Sequence, residues 1–229
     1  MTRSEPETAA LERSGSRLFL LEAADAARAF PARAPGAHKG TYGDLLIVAG
    51  AVGKTGAAIL AATGALRSGV GLVTVATAAN ALPLVAAGRA EVMTEPLPIL
   101  PSGDLAPGAL ERALGLAAAR DAVVIGPGLG QEPGTRAFIR DLVRRCPVPV
   151  LVDADGLNAL APSDRERGAL DALRRETATV LTPHPGEMAR LAGLSSTEVQ
   201  GRRLETVRRI AEGTGAFVVL KGQRTLVCR

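Results

Sequence analysis

Of the 27 basic side chains in this 229-residue sequence only three are lysines: Lys39, Lys54 and Lys221. Each stands in a glycine-rich segment, HKGTYG (38–43), AGAVGKTG (49–56) or VLKGQRT (219–225), and so do both histidines, His38 and His184. An ammonium on a flexible stem is a compact point charge, not interchangeable with a guanidinium fork. In a chain that uses arginine for almost every other cation, this placement points to sites. Lysine can neutralise phosphate there, and glycine lets backbone amides approach it.

Five segments carry the candidate chemistry. AGAVGKTGAA (49–58) resembles a phosphate loop opening a helix, but Val48 stands where the pattern needs its first glycine. Asp153 could pass for the partner aspartate. The plainer reading is a tight strand-to-helix turn packed close to a ligand. IGPGLG (125–130) has two glycines of a dinucleotide fingerprint, Gly126 and Gly128, with Gln131 in place of the third and Pro127 inside the loop. LVDADGLNAL (151–160) sets Asp153, Asp155 and Asn158 just past a strand, where short oxygen ligands either hold Mg²⁺ through water or cap the next helix.

TPHPGEMARLAG (182–193) ends a strand and starts a helix. His184 and Glu187, three apart, both point to the ligand side of the loop. Pro185 suits the first helical turn and Gly193 the helix end. Capping and catalysis are both open for this pair. VLKGQRT reads as a strand, a turn carrying Lys221, and a second strand from Arg224. Its Lys221, Thr225 and exposed amides either cradle phosphates or form an ordinary hairpin.

The elements that must position these groups alternate. Short, β-branched runs at Leu45–Ala49, Leu72–Ala76, Ala122–Ile125, Val148–Val152, Thr179–Leu181 and Phe217–Leu220 predict parallel strands buried on both faces. Segments of helical length lie between and after them: Thr55–Ser68, Asn80–Gly88, Leu105–Arg120, Pro133–Arg145, Asp164–Arg175 and Thr197–Gly213. Ser195, three before Glu198, gives the last a capping-box start. Upstream, residues 1–17 read as a disordered leader, Leu18–Phe30 as an amphipathic helix and PARAPGA (31–37) as a linker. The pattern implies a doubly wound α/β sheet with helices on both faces, in one domain over 18–229. Ligands of such sheets bind beyond the carboxyl ends of the strands, and five glycine-rich segments fall there.

Composition narrows the function. A hydrophobic fraction of 47% with 22% charged residues belongs to a chain with a packed core. Apolar runs such as Leu45–Ala49, five residues long, fall far short of the roughly 18 a membrane span needs. The polar N-terminus lacks a signal-peptide core, and Cys146 and Cys228 match no metal or redox spacing, which points to the cytoplasm. Net charge is only +4, acids and bases are interleaved, and with no Trp, one Tyr and four Phe there is no stacking platform for nucleic acid. A small anion such as a nucleotide suits this balance better than a polymer.

Taken together and in order, HKGTYG, TGAAILAATGALRSGVGLV (55–73), IGPGLG, DADGLNAL, LTPHPGE and VLKG-x-x-T resemble the ADP/ATP-dependent NAD(P)H-hydrate dehydratase family, of ribokinase-like fold. The resemblance runs from about Leu18 to Arg229. It implies repair of the S-epimer of NAD(P)HX to NAD(P)H at the expense of ADP or ATP with Mg²⁺, in a homo-oligomer, a tetramer by family resemblance. It implies that Ala57, Gly128 and His184 contact the hydrate. Lys221, Gly222, Gln223, Arg224 and Thr225 would hold the adenine nucleotide. Glu187 would organise Mg²⁺, through water or directly, with Asp153 and Asn158 in support, and Lys39 and Tyr42 would support the site.

One departure stands out. The family continues past VLKG-x-x-T to a GTGD-type motif whose amides form the anion hole and whose aspartate is the base, and residues 1–229 contain no such motif. Ser102-Gly103-Asp104 has the wrong order and context. The expectation is therefore a domain incomplete at its C-terminus, which binds ligands without turnover. An epimerase domain, which some members carry in front, does not fit in the 37 residues before His38. The alternatives are a vitamin-precursor type kinase of the same fold and a non-catalytic nucleotide-binding remnant.

Overall fold

The computed structural model describes residues 19–27, 30, 32–162, 170 and 173–229. The chain divides into two compact units, Met1–Ala37 and His38–Arg229. In the first unit, helix α1 (Ala23–Ala27) is shorter than the helix expected over Leu18–Phe30, of which Leu18, Arg28 and Ala29 lie outside the described residues. The expected leader lies outside them too.

The second unit holds an eight-stranded sheet: β1 (Asp44–Val48), β2 (Leu72–Ala78), β3 (Met93–Leu97), β4 (Ala122–Ile125), β5 (Val150–Val152), β6 (Thr179–Leu181), β7 (Phe217–Leu220) and β8 (Leu226–Cys228). Their order is β3-β2-β1-β4-β5-β6-β7-β8, parallel throughout except for the final antiparallel β7–β8 pair. The order reverses between β1 and β4, so the topological switch point lies there. Across it the Gly50 N–H donates to the Pro127 carbonyl at 2.9 Å.

Strand alternation divides the core into two layers. Leu46 and Val48 of β1 pack with Val123, Ile125, Val150, Val152 and Leu181 under helices α4 (Gly108–Ala118), α5 (Pro133–Arg145), α6 (Asp155–Leu160), α7 (Pro185–Ala192), α8 (Ser196–Gly201) and α9 (Arg203–Thr214). Ile47 and Ala49 point the other way, into Ala58, Ala62, Val73, Val75 and Val85 beneath α2 (Thr55–Arg67) and α3 (Leu82–Ala86). Helices thus cover both faces at β1 and β2. Farther along the second face, Leu151 and Val180 are only partly buried. No described helix is long and apolar enough to cross a membrane.

Departures from the sequence reading have local causes. The strand β3 was not expected because MTEPL carries a proline, which cannot donate to a ladder; it is tolerated here because β3 is an edge strand paired only with β2. The strand expected from Val148 begins at Val150, since the Val148 carbonyl accepts from Arg175 at 2.9 Å instead. The helix expected over Thr197–Gly213 breaks at Arg202, whose φ of −137° is not helical, into α8 and α9. The Ser195–Glu198 capping box does form. The last strand begins at Leu226 rather than Arg224, because Arg224 takes a left-handed φ of 59° in the turn. Most of the helix expected over Asp164–Arg175 lies outside the described residues.

Candidate active site

All five glycine-rich segments that follow Ala49, Ile125, Val152, Leu181 and Leu220 lie at the carboxyl edge of the parallel strands. HKGTYG does not. It forms a 3₁₀ turn, Lys39–Tyr42, ahead of β1 at the opposite edge, where the Tyr42 carbonyl accepts from the Gly71 N–H at 3.1 Å. A side chain on Gly71 would strike the Lys39 carbonyl. Lys39 and Tyr42, expected in a supporting role, clamp the start of β2 at the edge opposite the other expected site residues.

At the switch point two loops interlock. Gly128 has φ +68°, and a Cβ there would stand 3.0 Å from the Ala57 methyl and 2.8 Å from the Lys54 carbonyl. Ala57 and Gly128, expected to share a ligand, are thus in contact. Gly126, at φ +126°, lies so close to the next loop that a Cβ would come 2.0 Å from the Asp153 carbonyl oxygen. Only glycine fits. Between Asp153 and Asp155, Ala154 holds a φ of 51°, strain of order 1–3 kcal/mol in a non-glycine residue.

Asp155 ties this crevice together. Its Oδ2 accepts from the Gly130 N–H at 2.9 Å and lies 3.5 Å from Lys54 Nζ, while its Oδ1 accepts from Gln131 at 3.3 Å. Three loops meet on one carboxylate. Sequence reasoning had placed Asp155 beside Asp153 and Lys54 in a phosphate-loop look-alike, without pairing them.

The second cluster joins β5, β6 and β7. His184 caps α7: its Nδ1 accepts from the N–H groups of Gly186 at 3.0 Å and Glu187 at 3.4 Å, and Glu187 Oε2 accepts from the His184 N–H at 2.8 Å. An accepting Nδ1 leaves the proton of neutral His184 on Nε2, 3.4 Å from Glu187 Oε1. Pro185 takes the first turn and Gly193 ends the helix at φ 66°. Capping, one of the two readings open for this pair, is realised, and the His184 side chain stays half exposed.

Arg190 of the same segment is held by Asn158, and the fold supplies buried Glu187 with a cation from beyond β7. Lys221 Nζ donates to Asp153 Oδ1 at 2.7 Å and lies 3.9 Å from Glu187 Oε2. The Lys221 N–H also donates to the Pro183 carbonyl at 2.8 Å, fixing the β7 turn on the β6 loop. Beyond it, Gly222 has φ +139° and its carbonyl accepts from Thr225 Oγ1 at 3.1 Å, closing a turn over Gln223 and Arg224. Asn158 stands apart: its Oδ1 accepts from Arg190 Nε at 2.7 Å, not from the Asp153 network it was expected to support. Asp104 also has a plain structural role, since its carboxylate accepts from the N–H and hydroxyl of Thr135 in the first turn of α5.

Residues 45–229 match the family model described as NAD(P)H-hydrate dehydratase. The chain belongs to the NAD(P)H-hydrate dehydratase family. It is 43% identical over 212 residues to the bifunctional NAD(P)H-hydrate repair enzyme Nnr of Moorella thermoacetica, an alignment covering 91% of this chain and 38% of that protein. It is 39% identical over 204 residues to the ADP-dependent (S)-NAD(P)H-hydrate dehydratase of Neisseria meningitidis, covering 86% of this chain and 62% of that one. Among solved structures, the Bacillus subtilis ADP/ATP-dependent NAD(P)H-hydrate dehydratase co-crystallized with ATP/Mg²⁺ matches at TM-score 0.71 and 32% identity, over 90% of this chain and 67% of that one. A ribokinase-like superfamily protein of Enterococcus faecalis, 22% identical at TM-score 0.64 over 86% of this chain and 63% of that one, shares the fold alone. This dehydratase-family chain therefore spans less than two thirds of the length of these curated relatives, and its fold is ribokinase-like.

Proposed function

We propose that this chain binds (S)-NAD(P)HX and an adenine nucleotide at the carboxyl edge of its sheet, as part of an ADP- or ATP-dependent hydrate dehydratase. The observation that carries this reading is the convergence of Asp153, His184, Glu187 and Lys221 beside the crevice of Ala57 and Gly128. Two subsites on one edge suit a two-substrate reaction. The vitamin-precursor kinase reading loses ground to the family match.

In the reaction, the hydrate hydroxyl attacks the terminal phosphorus of ADP and AMP leaves. The C–O bond then breaks to release phosphate as a proton leaves the adjacent ring carbon, restoring the dihydropyridine. The net change is hydrate plus ADP to NAD(P)H, AMP and phosphate; with ATP the leaving nucleotide is ADP. This chain's residues would bind and orient. Lys221 offers an ammonium to the moving phosphoryl group, with Asp153 aiming it and the 222–225 turn presenting backbone amides to the nucleotide. His184, its Nε2 proton facing Glu187, would meet the hydrate, and Gly128 and Ala57 would admit its ring. The base and anion hole implied by the family resemblance belong to a GTGD-type motif that is not among residues 1–229.

The donor set fits Mg²⁺ arriving with a nucleotide. Among the described residues no group of three or more metal-type side chains exists, but the Asp153 and Glu187 carboxylates both flank Lys221 Nζ. One or two carboxylates plus phosphate oxygens and water are the usual magnesium ligands. Asp153 and Glu187 would hold the ion, which neutralises phosphoryl charge when bound.

We also propose a homo-oligomer, a tetramer by family resemblance, formed through the outer face of α2 and α3. Leu60 is 73% exposed, Val52 62% and Leu84 60%, and Gly56 and Gly64 leave the helix surface flat between them. A cytoplasmic location suits enzymes of nicotinamide nucleotides. Calorimetric titration with ADP, ATP and (S)-NADPHX tests the central reading. Micromolar binding of both ligand classes is expected. Tight, steeply salt-dependent binding of an oligonucleotide with no nucleotide binding would overturn it.

A further inference from the structure

Helices α5, α6 and α7 follow the neighbouring strands β4, β5 and β6. Between them lies an open depression of about 610 Å³, lined by Gln131, Arg136, Asn158, Ala161, Pro162 and Arg190. That is within the roughly 300–1,000 Å³ of small-molecule sites. Its polar wall is two guanidinium groups, each held by a neutral amide. Arg136 NH1 donates to Gln131 Oε1 at 2.9 Å, and Arg190 Nε donates to Asn158 Oδ1 at 2.7 Å.

The Gln131 orientation is itself fixed. Its NH₂ group donates to the Asp155 carbonyl at 2.8 Å and the Gly130 carbonyl at 2.9 Å, so its oxygen must face Arg136. An amide oxygen orients a guanidinium but does not neutralise it. Among the described residues neither arginine has a carboxylate within ion-pair distance. Two oriented positive charges thus face one depression whose remaining lining, Ala161 and Pro162, is apolar. Planar guanidinium forks match phosphate oxygens bidentately.

We infer that this depression binds a phosphate monoester, and that on the dinucleotide hydrate it takes the 2′-phosphate, making the chain selective for (S)-NADPHX over (S)-NADHX. The second part rests on the dehydratase reading. A monoester carries about −1.5 to −2 charges at pH 7, which two guanidinium groups balance. Position agrees with this. Gln131 lies three residues beyond Gly128, and Arg190 is six residues along α7 from His184, about 9 Å at 1.5 Å per residue. A dinucleotide with its nicotinamide end at Gly128 and His184 can reach the depression with its other end.

The test is calorimetry of residues 1–229 and the Arg136→Gln/Arg190→Gln variant with (S)-NADPHX, (S)-NADHX, adenosine 2′,5′-bisphosphate, inorganic phosphate and ADP. The parent chain is expected to prefer (S)-NADPHX over (S)-NADHX by at least tenfold. The variant should lose that preference while keeping its (S)-NADHX and ADP affinities. An unchanged preference in a variant that still binds ADP overturns the proposal. If the parent binds neither hydrate nor ADP, the dehydratase reading fails; adenosine 2′,5′-bisphosphate or phosphate binding that disappears in the variant would then still support a free phosphate-monoester site, and no such binding would end that too. Should the double variant melt early, Arg190→Lys, which keeps the charge but removes the fork, reads the same preference.

Discussion

Lys221 and Asp153 meet at 2.7 Å although they are 68 positions apart in sequence and the whole of β6 lies between them. Asp153 follows β5 and Lys221 follows β7, so the pair bridges the strand in the middle, and Glu187 on the helix after that strand stands 3.9 Å from the same ammonium. Both members of the pair are partly exposed, at 40% and 30%, so solvent screens much of its contribution to stability. Its value is positional: the ammonium is held at the edge where ligands bind.

Lys221→Ala should weaken ADP binding about tenfold or more, the scale of losing a hydrogen bond to a charged group, and change (S)-NADPHX binding less than threefold. His184→Ala should do the reverse. It should also cost about 1 kcal/mol of stability, because His184 caps α7. Calorimetry with each ligand separates the two effects, and equal losses of both ligands in both variants would merge the proposed subsites.

Gly126→Ala should destabilise by roughly 3 kcal/mol or more, since the new methyl meets the Asp153 carbonyl at 2.0 Å and the Gly156 nitrogen at 2.6 Å in an unfavourable φ. Gly53→Ala, also at positive φ but with nothing within 4 Å, should cost only about 1–2 kcal/mol. Urea denaturation of the two variants measures the difference. Equal costs would mean that the β4 and β5 loops are not pressed together.

The Glu198 carboxyl is held below its ordinary value, first by the hydrogen bond from the Ser195 N–H and then by that from the Ser195 hydroxyl. A depressed carboxyl stabilises the fold above the unfolded glutamate value of about 4.3, and that contribution is lost as pH falls through the folded value. Ser195→Ala should move the Glu198 titration upward, read by side-chain NMR, and lower the melting temperature more at pH 6 than at pH 3. A Glu198 titration that stays in place would remove the Ser195 hydroxyl as one of its causes and leave the Ser195 N–H.

Burial pushes the Cys146 thiol up, against smaller opposing effects of a hydrogen bond at Val148 and the charge of Arg175. Its contribution to stability is intact below the unfolded thiol value, about 8.5, and is lost as pH rises toward the folded one. Iodoacetamide at pH 8 should therefore modify Cys228 in the native protein and reach Cys146 only in urea, as peptide mass spectrometry would show. Native labelling of Cys146 at the rate of Cys228 would contradict its buried state.

Much of this molecule was legible in the residues alone. Short β-branched runs bounded by Gly, Pro and Asp specify a parallel sheet, covered on both faces at β1 and β2, and its carboxyl edge gathers five glycine-rich loops whatever the exact register. His184 and Glu187 could be paired from their spacing because a capping box is local, closed within three residues. Lys221, Asp155 and the arginines of the depression could not be paired, since their partners are fixed by strand order. No spacing in the chain says that β5, β6 and β7 lie side by side, yet that adjacency alone brings Asp153, Glu187 and Lys221 together. Lys39 shows the converse. Its glycine-rich setting resembled that of the other two lysines, but it precedes its strand where Lys54 and Lys221 follow theirs, and in a parallel sheet that difference puts it at the opposite edge.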